Sequence, residues 1–119
     1  MNCNPRDLPI LHSDERLDTV NEQIRLIQKR NGLTFGTDAY LLAAYAPPFP
    51  RACAVDLGSG TGIIPLLLLA KNKALSVTAV EIQPTFAELI ERNAALNGMS
   101  DKMSESVSEI GKQIDQFTV

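Results

Sequence analysis

The chain has 119 residues, a net charge of -3, 45 % hydrophobic and 21 % charged residues, which suits one globular domain with a modest core. No segment concentrates lysine or arginine, so the composition lacks the basic footprint of a nucleic-acid binder. The longest apolar run, "GIIPLLLLA", falls far short of the roughly 20 residues that a membrane span needs, and Cys3, Cys53 and His12 show neither metal-ligand spacing nor a disulfide framework.

Residues 1–13 hold prolines and mixed charge without an apolar core of signal-peptide length, and they read as a flexible tail. Both cysteines read as reduced thiols of a cytoplasmic protein. Up to Arg30 the basic and acidic residues balance, which is the pattern of a solvated surface. "IRLIQKRNGLTFG" then sets two β-prone runs around "RNG", predicting a hairpin of residues 24–28 with 33–35. "TDAYLLAAYA" predicts a helix with Thr37 as N-cap, Asp38 in the first turn and a broad apolar surface of Leu41, Leu42, Ala44 and Tyr45, stopped by "PPFP".

The centre of the chain changes character. "ACAVDL" and "LSVTAVEI" are near-continuous apolar runs, as expected of parallel strands covered on both faces. Between them lies a predicted helix over residues 63–71, apolar almost all round, with Pro65 tolerated in its first turn. A second helix begins near Pro84 with Phe86, Leu89, Ile90, Ala94 and Asn97 on one stripe, and Gly98 stops it. A short strand is expected over residues 103–107, then a short helix, and "FTV" reads as the opening of a further strand. A parallel sheet ending there leaves an exposed edge, open to self-association.

The turn "GSGTG" carries the chemistry. In a strand, turn, helix, strand unit, ligands sit at the carboxyl ends of the strands, where the turn delivers backbone N–H groups at a helix N-terminus. Gly58, Gly60 and Gly62 remove three β-carbons there, and Ser59 and Thr61 add hydroxyl or amide donors. Glycines alone are equally compatible with a tight turn packed on its strand. The dinucleotide fingerprint would need a third glycine where Ile63 stands, and no lysine followed by serine or threonine closes the loop as a phosphate-cradling motif requires. Asp56, just before the turn, repels a pyrophosphate and attracts a cation. Glu81 ends the second strand beside the turn, where its carboxylate can accept hydrogen bonds from both hydroxyls of a ribose. The site therefore suits an ammonium and a sulfonium better than phosphates.

"VDLGSGTG" followed by "VTAVEIQP" resembles the first two motifs of class I S-adenosylmethionine-dependent methyltransferases. Upstream, "ERLD", "LIQ" and "FGTDAYLLAAYA" resemble the entry segment of the bacterial tRNA methyltransferases, of the small methyltransferase domain group, that modify the exocyclic amine of an anticodon-loop adenine in valine tRNA. The resemblance implies an α/β, Rossmann-like fold and S-adenosylmethionine as cofactor. It implies that residues 58–62 line the methionine part, that Glu81 holds the ribose and that Ile82 packs near the adenine. It also implies that the segment at Gly36, Thr37 and Asp38 folds over the site as a lid, although Thr37 and Asp38 equally suit a plain helix cap.

In that family an "NPPY"-type motif after the fourth strand grips the target amine, and no such tetrapeptide occurs in these 119 residues. The resemblance thus divides the chain into a tail (1–13), a hairpin and lid helix (14–50), and the cofactor-binding first half of a doubly wound sheet (51–119), truncated before that motif. On this reading the chain is an N-terminal fragment, inactive alone, with no catalytic residue and tRNA engaged through the absent part. A protein glutamine or a small molecule stays open as acceptor. So do a catalytically silent cofactor-binding module and, with Ile63 against it, a nucleotide-dependent oxidoreductase.

Overall fold

The computed structural model describes residues 9–31 and 36–105. Among these, two sheets and three helices follow in the order β1 (Glu15–Thr19), β2 (Arg25–Lys29), α1 (Thr37–Tyr45), β3 (Cys53–Leu57), α2 (Ile63–Ala70), β4 (Ser76–Val80), α3 (Pro84–Leu96) and β5 (Met103–Glu105). Residues 106 and 107 of the expected last strand, the helix after them and the "FTV" segment lie outside the described residues.

The hairpin differs from expectation. β2 pairs antiparallel with the preceding segment β1, with Leu17 opposite Ile27, whereas residues 33–35, the expected partner, lie outside the described residues. The turn between β1 and β2 is made by Asn21, whose Oδ1 accepts the N–H groups of Gln23 at 2.8 Å and Ile24 at 2.9 Å, a side chain standing in for backbone. The charges of β1 disguise it as surface. Glu15 is buried, and Arg92 of α3 grips it through two hydrogen bonds of 2.7 Å, with Lys29 Nζ adding a third at 3.1 Å. First the Arg92 hydrogen bonds, and then those of the His12 N–H and Lys29, hold the Glu15 carboxyl down from the ordinary 4.5 to about 2 against the opposing effect of burial. A charged strand is thereby locked to a helix.

β3, β4 and β5 form a parallel sheet in that order, with β4 in the middle. α2 and α3 pack on the face that carries Ala79 and Met103, and Ile24 and Leu26 of the hairpin region join the same core as Leu66, Leu67 and Ile90. Ile27 packs with Leu89 and Leu96 in a second cluster. The strands are parallel as expected, but among the described residues coverage on both faces is not found: Val55 is 62 % and Leu57 73 % exposed, and Cys53 is an exposed free thiol. Alternate residues of a strand point to opposite faces, so Cys53, Val55 and Leu57 mark one bare face of β3.

α1 begins at Thr37 with Gly36 as its N-cap and no side-chain cap bond, so Thr37 is not the cap that the sequence suggests. Its apolar surface points outward: Leu41, Leu42 and Tyr45 are exposed, while Ala43 is buried and Ala39 and Tyr40 pack on the core. Its C-terminus lacks basic residues of its own. Lys73 supplies the charge from the loop before β4, donating to the carbonyls of Ala43 at 2.9 Å, Ala44 at 2.5 Å and Ala46 at 2.8 Å. This ties the C-terminus of α1 to the loop that follows α2, its packing neighbour.

Candidate cofactor site

β3 and β4 end in step, with Leu57 opposite Val80, so the glycine turn and Glu81 emerge side by side at one sheet edge. The Val80 carbonyl accepts the N–H groups of Gly58 at 2.8 Å and Ser59 at 3.0 Å, folding the turn back over the end of β4. Glu81 completes the fold of the turn. Its Oε1 accepts the Gly60 N–H at 2.9 Å and its Oε2 accepts the Gln83 N–H at 2.9 Å, with the residue only 6 % exposed. A carboxylate offers about four lone-pair sites, so each oxygen keeps acceptor capacity for a further donor.

These bonds correct one expectation. The N–H groups of Gly58, Ser59 and Gly60 are donated within the protein, as is that of Gly62 to the Ser59 carbonyl at 2.9 Å. At these four residues the turn is therefore braced rather than presented, and what Gly58 and Gly60 offer a ligand is shape. Nothing stands within 4 Å of where a β-carbon on Gly58 or Gly60 would lie. Gly62 is different: with φ +88 it caps α2 in the left-handed region, and its missing β-carbon faces Met103 Cε at 2.8 Å and Ile90. Gly62 serves the core, not the cleft.

Ser59 also differs from its expected role. Its hydroxyl donates to Asp56, lying 2.7 Å from Oδ2 and 3.0 Å from the carbonyl oxygen. Burial pushes the Asp56 carboxyl up, and the Ser59 hydrogen bond opposes that shift.

In front of the turn lies a cleft of about 470 Å³, within the range of small-molecule sites. Its floor is residues 58–61 with Ile63 and Ile64, one wall is Glu81, Gln83 and Phe86, and the other is Gly36, Asp38 and Ala39 at the start of α1. Six residues expected from the sequence thus meet here: Asp38, Gly58, Ser59, Gly60, Thr61 and Glu81. Thr37, Asp56, Gly62 and Ile82 do not border the cleft; Ile82, for its part, points to solvent, 67 % exposed. Phe86 and Gln83 were not expected from the sequence, and the signal was there: Phe86 opens the apolar stripe of α3, and Gln83 follows Glu81 by two residues.

Among the described residues, His12, Asp14 and Glu15 have ligand atoms within 4.8 Å of one another, but Arg92 and Lys29 already occupy the Glu15 oxygens. That cluster is an ion-pair lock.

The chain is similar to two bacterial proteins named tRNA1(Val) (adenine(37)-N6)-methyltransferase. The one from Porphyromonas gingivalis W83 is 34 % identical over 87 residues, covering 69 % of this chain and 34 % of the relative. The one from Vibrio campbellii is 27 % identical over 99 residues, covering 81 % of this chain and 41 % of the relative. The chain thus spans well under half the length of these relatives. In fold it matches the crystal structure of Pyrococcus horikoshii TYW2 in complex with MeSAdo, with a TM-score of 0.66 at 23 % identity over 81 % of this chain and 36 % of that one. The α/β, Rossmann-like architecture implied by the family resemblance is therefore found. Residues 29–117, which include the glycine turn, Glu81 and the whole cleft, match the model of the methyltransferase small domain, and the chain belongs to that family.

Proposed function

We propose that the cleft binds S-adenosylmethionine and that the chain is the cofactor-holding part of a methyltransferase acting on the exocyclic amine of an adenine in tRNA. The reading is supported by one observation above the rest: a buried carboxylate, Glu81, braces the glycine turn and still has acceptor capacity at the cleft. The residues present fit that cofactor. Gly58 and Gly60 leave open space beside the main chain, and no lysine stands among the lining residues to hold a phosphate. The cofactor, when bound, supplies a methyl group on a cationic sulfur.

In this reading Asp38, Gly58, Ser59, Gly60, Thr61 and Glu81 are the contact set, with Glu81 on the ribose hydroxyls. Asp56 acts through Ser59, and Gly62 acts by fixing the turn. Thr37 and Ile82 neighbour the lining residues Asp38 and Glu81 without bordering the cleft themselves, and in this reading Ile82 is assigned to the adenine end. Residues 14–50 form the hairpin and lid unit and 51–119 the cofactor unit. We assign the acceptor to tRNA on the strength of the named relatives and the setting to the cytoplasm, where tRNA is modified; no helix among the described residues is long and apolar enough to cross a membrane.

Calorimetric titration tests the cofactor. Saturable binding of S-adenosylmethionine or S-adenosylhomocysteine is expected, and a preference for reduced nicotinamide dinucleotide would overturn the assignment. Incorporation of labelled methyl into protein rather than tRNA would move the acceptor to a glutamine side chain. The bare face of β3, with Val55 and Leu57 exposed, favours a second reading, in which the chain is a silent cofactor-holding module whose sheet face packs against a second copy. A chain that sediments as a monomer at high concentration would count against it.

A further inference from the structure

Asn93 of α3 and Asn97 at its C-cap, one helical turn apart, treat β2 as a neighbouring strand would. Asn97 Oδ1 accepts the Arg25 N–H at 3.0 Å, and its Nδ2 donates to the carbonyls of Arg25 at 2.8 Å and Asn93 at 2.7 Å. Two residues along β2, Asn93 repeats the pairing: Oδ1 accepts the Ile27 N–H at 2.7 Å and Nδ2 donates to the Ile27 carbonyl at 3.1 Å. Spacing explains the match, because side chains at i and i+4 share a helix face while every second strand residue turns its backbone to the same side.

Asn93 then does something that Asn97 does not. Its remaining amide hydrogen goes to the Thr61 carbonyl at 2.9 Å, inside the glycine turn and at the floor of the cleft. The orientation of this carboxamide is fixed by its partners, since the flipped one would set two donors against each other at Ile27 and two acceptors at Thr61. Asn93 is 0 % exposed, so water cannot replace either partner if it is lost.

We propose that Asn93 is a positioning residue for the cofactor cleft, tying the Thr61 peptide to the β1–β2 hairpin so that turn and hairpin keep one geometry. The proposal rests on the cofactor reading above. Glu81 braces the turn from β4 at Gly60, and Asn93 braces it from α3 at Thr61. A ligand that needs the braced turn will then bind less well when either support is removed.

Asn93→Asp and Asn97→Asp form a matched pair. Each keeps an acceptor for the strand N–H and loses the donors, and each weakens the hold on β2, but only the first places a negative oxygen against Thr61. Once the Thr61 peptide is released in the free chain, binding must restore the braced turn, and a cost the size of one buried hydrogen bond reads as about a tenfold loss of affinity. Binding of S-adenosylhomocysteine is therefore expected to weaken about tenfold in N93D and to stay within about twofold of wild type in N97D. Equal weakening in both variants, or unchanged binding in N93D, would overturn the proposal while leaving the cofactor site intact. Failure of the wild-type chain to bind S-adenosylhomocysteine would remove the site reading itself. Should N93D not fold, amide exchange of the wild-type chain with and without S-adenosylhomocysteine decides: the Ile27 amide, held by Asn93, should gain protection more than the Arg25 amide, held by Asn97. Equal gains would overturn the proposal.

Discussion

Replacing Glu81 by alanine removes two struts at once, because Oε1 holds the Gly60 N–H and Oε2 the Gln83 N–H, each at 2.9 Å. Hydrogen bonds to a charged group contribute about 1.5 to 3 kcal/mol each when unreplaced. Gln83 is exposed and Gly60 half-buried, so water recovers most of the first bond and part of the second, and release of a buried carboxylate offsets some of the rest. A net stability loss of about 1 to 2 kcal/mol follows, or several degrees in Tm for a chain of this size. Affinity should suffer separately. On the proposed assignment of Glu81 to the ribose hydroxyls, its loss predicts S-adenosylmethionine binding weaker by about ten- to a hundredfold. Glu81→Gln separates the two effects, since its one carbonyl oxygen can keep the Gly60 bond while the ribose loses an acceptor. Calorimetry well below Tm, with thermal unfolding of each variant alongside, measures both quantities. If Glu81→Ala bound S-adenosylmethionine within twofold of wild type, Glu81 would be a structural brace alone and the ribose assignment would fail.

Gly62→Ala should behave in the opposite way. A left-handed φ of +88 predicts a loss of about 1 to 2 kcal/mol; the added β-carbon would lie 2.8 Å from Met103 Cε, the end of a flexible side chain that can shift at little cost, and an unchanged urea midpoint would refute the strain at Gly62. Acid should unfold the chain through Glu15. Its folded pKa, at about 2, lies below the ordinary 4.5, so the carboxylate contributes stability in full above 4.5 that is lost as pH falls from there toward 2. Screening around the partly exposed Arg92 partner limits this to about 2 kcal/mol. Urea midpoints between pH 7 and pH 3 should fall more steeply for wild type than for Arg92→Met, and parallel curves would show that the lock carries no stability.

The cleft was half legible before any coordinates. "VDLGSGTG" and the apolar run ending at Glu81 announce a turn and an acid at one sheet edge because strand, turn and helix are written in local patterns: continuous apolar residues, alternating glycines, a proline in the first helical turn. Those patterns fix which residues emerge together, since parallel strands that end in step leave no other place for them. They do not fix which way each residue then faces. Gly58 and Gly60 look out and Gly62 looks in, a distinction set by Met103, a residue more than 40 positions away that packs against the helix start.

The same division holds for the polar residues. From the sequence, Glu15 and Arg92 are two of many balanced charges, and Asn93 is one more residue on an amphipathic helix. Only the tertiary structure pairs Glu15 with Arg92 across 77 positions and Asn93 with Ile27 across 66. Local pattern reports propensity and periodicity within a few turns of chain; a buried polar group is satisfied by whichever partner the packed fold brings to it, and that partner has no signature of its own in the sequence.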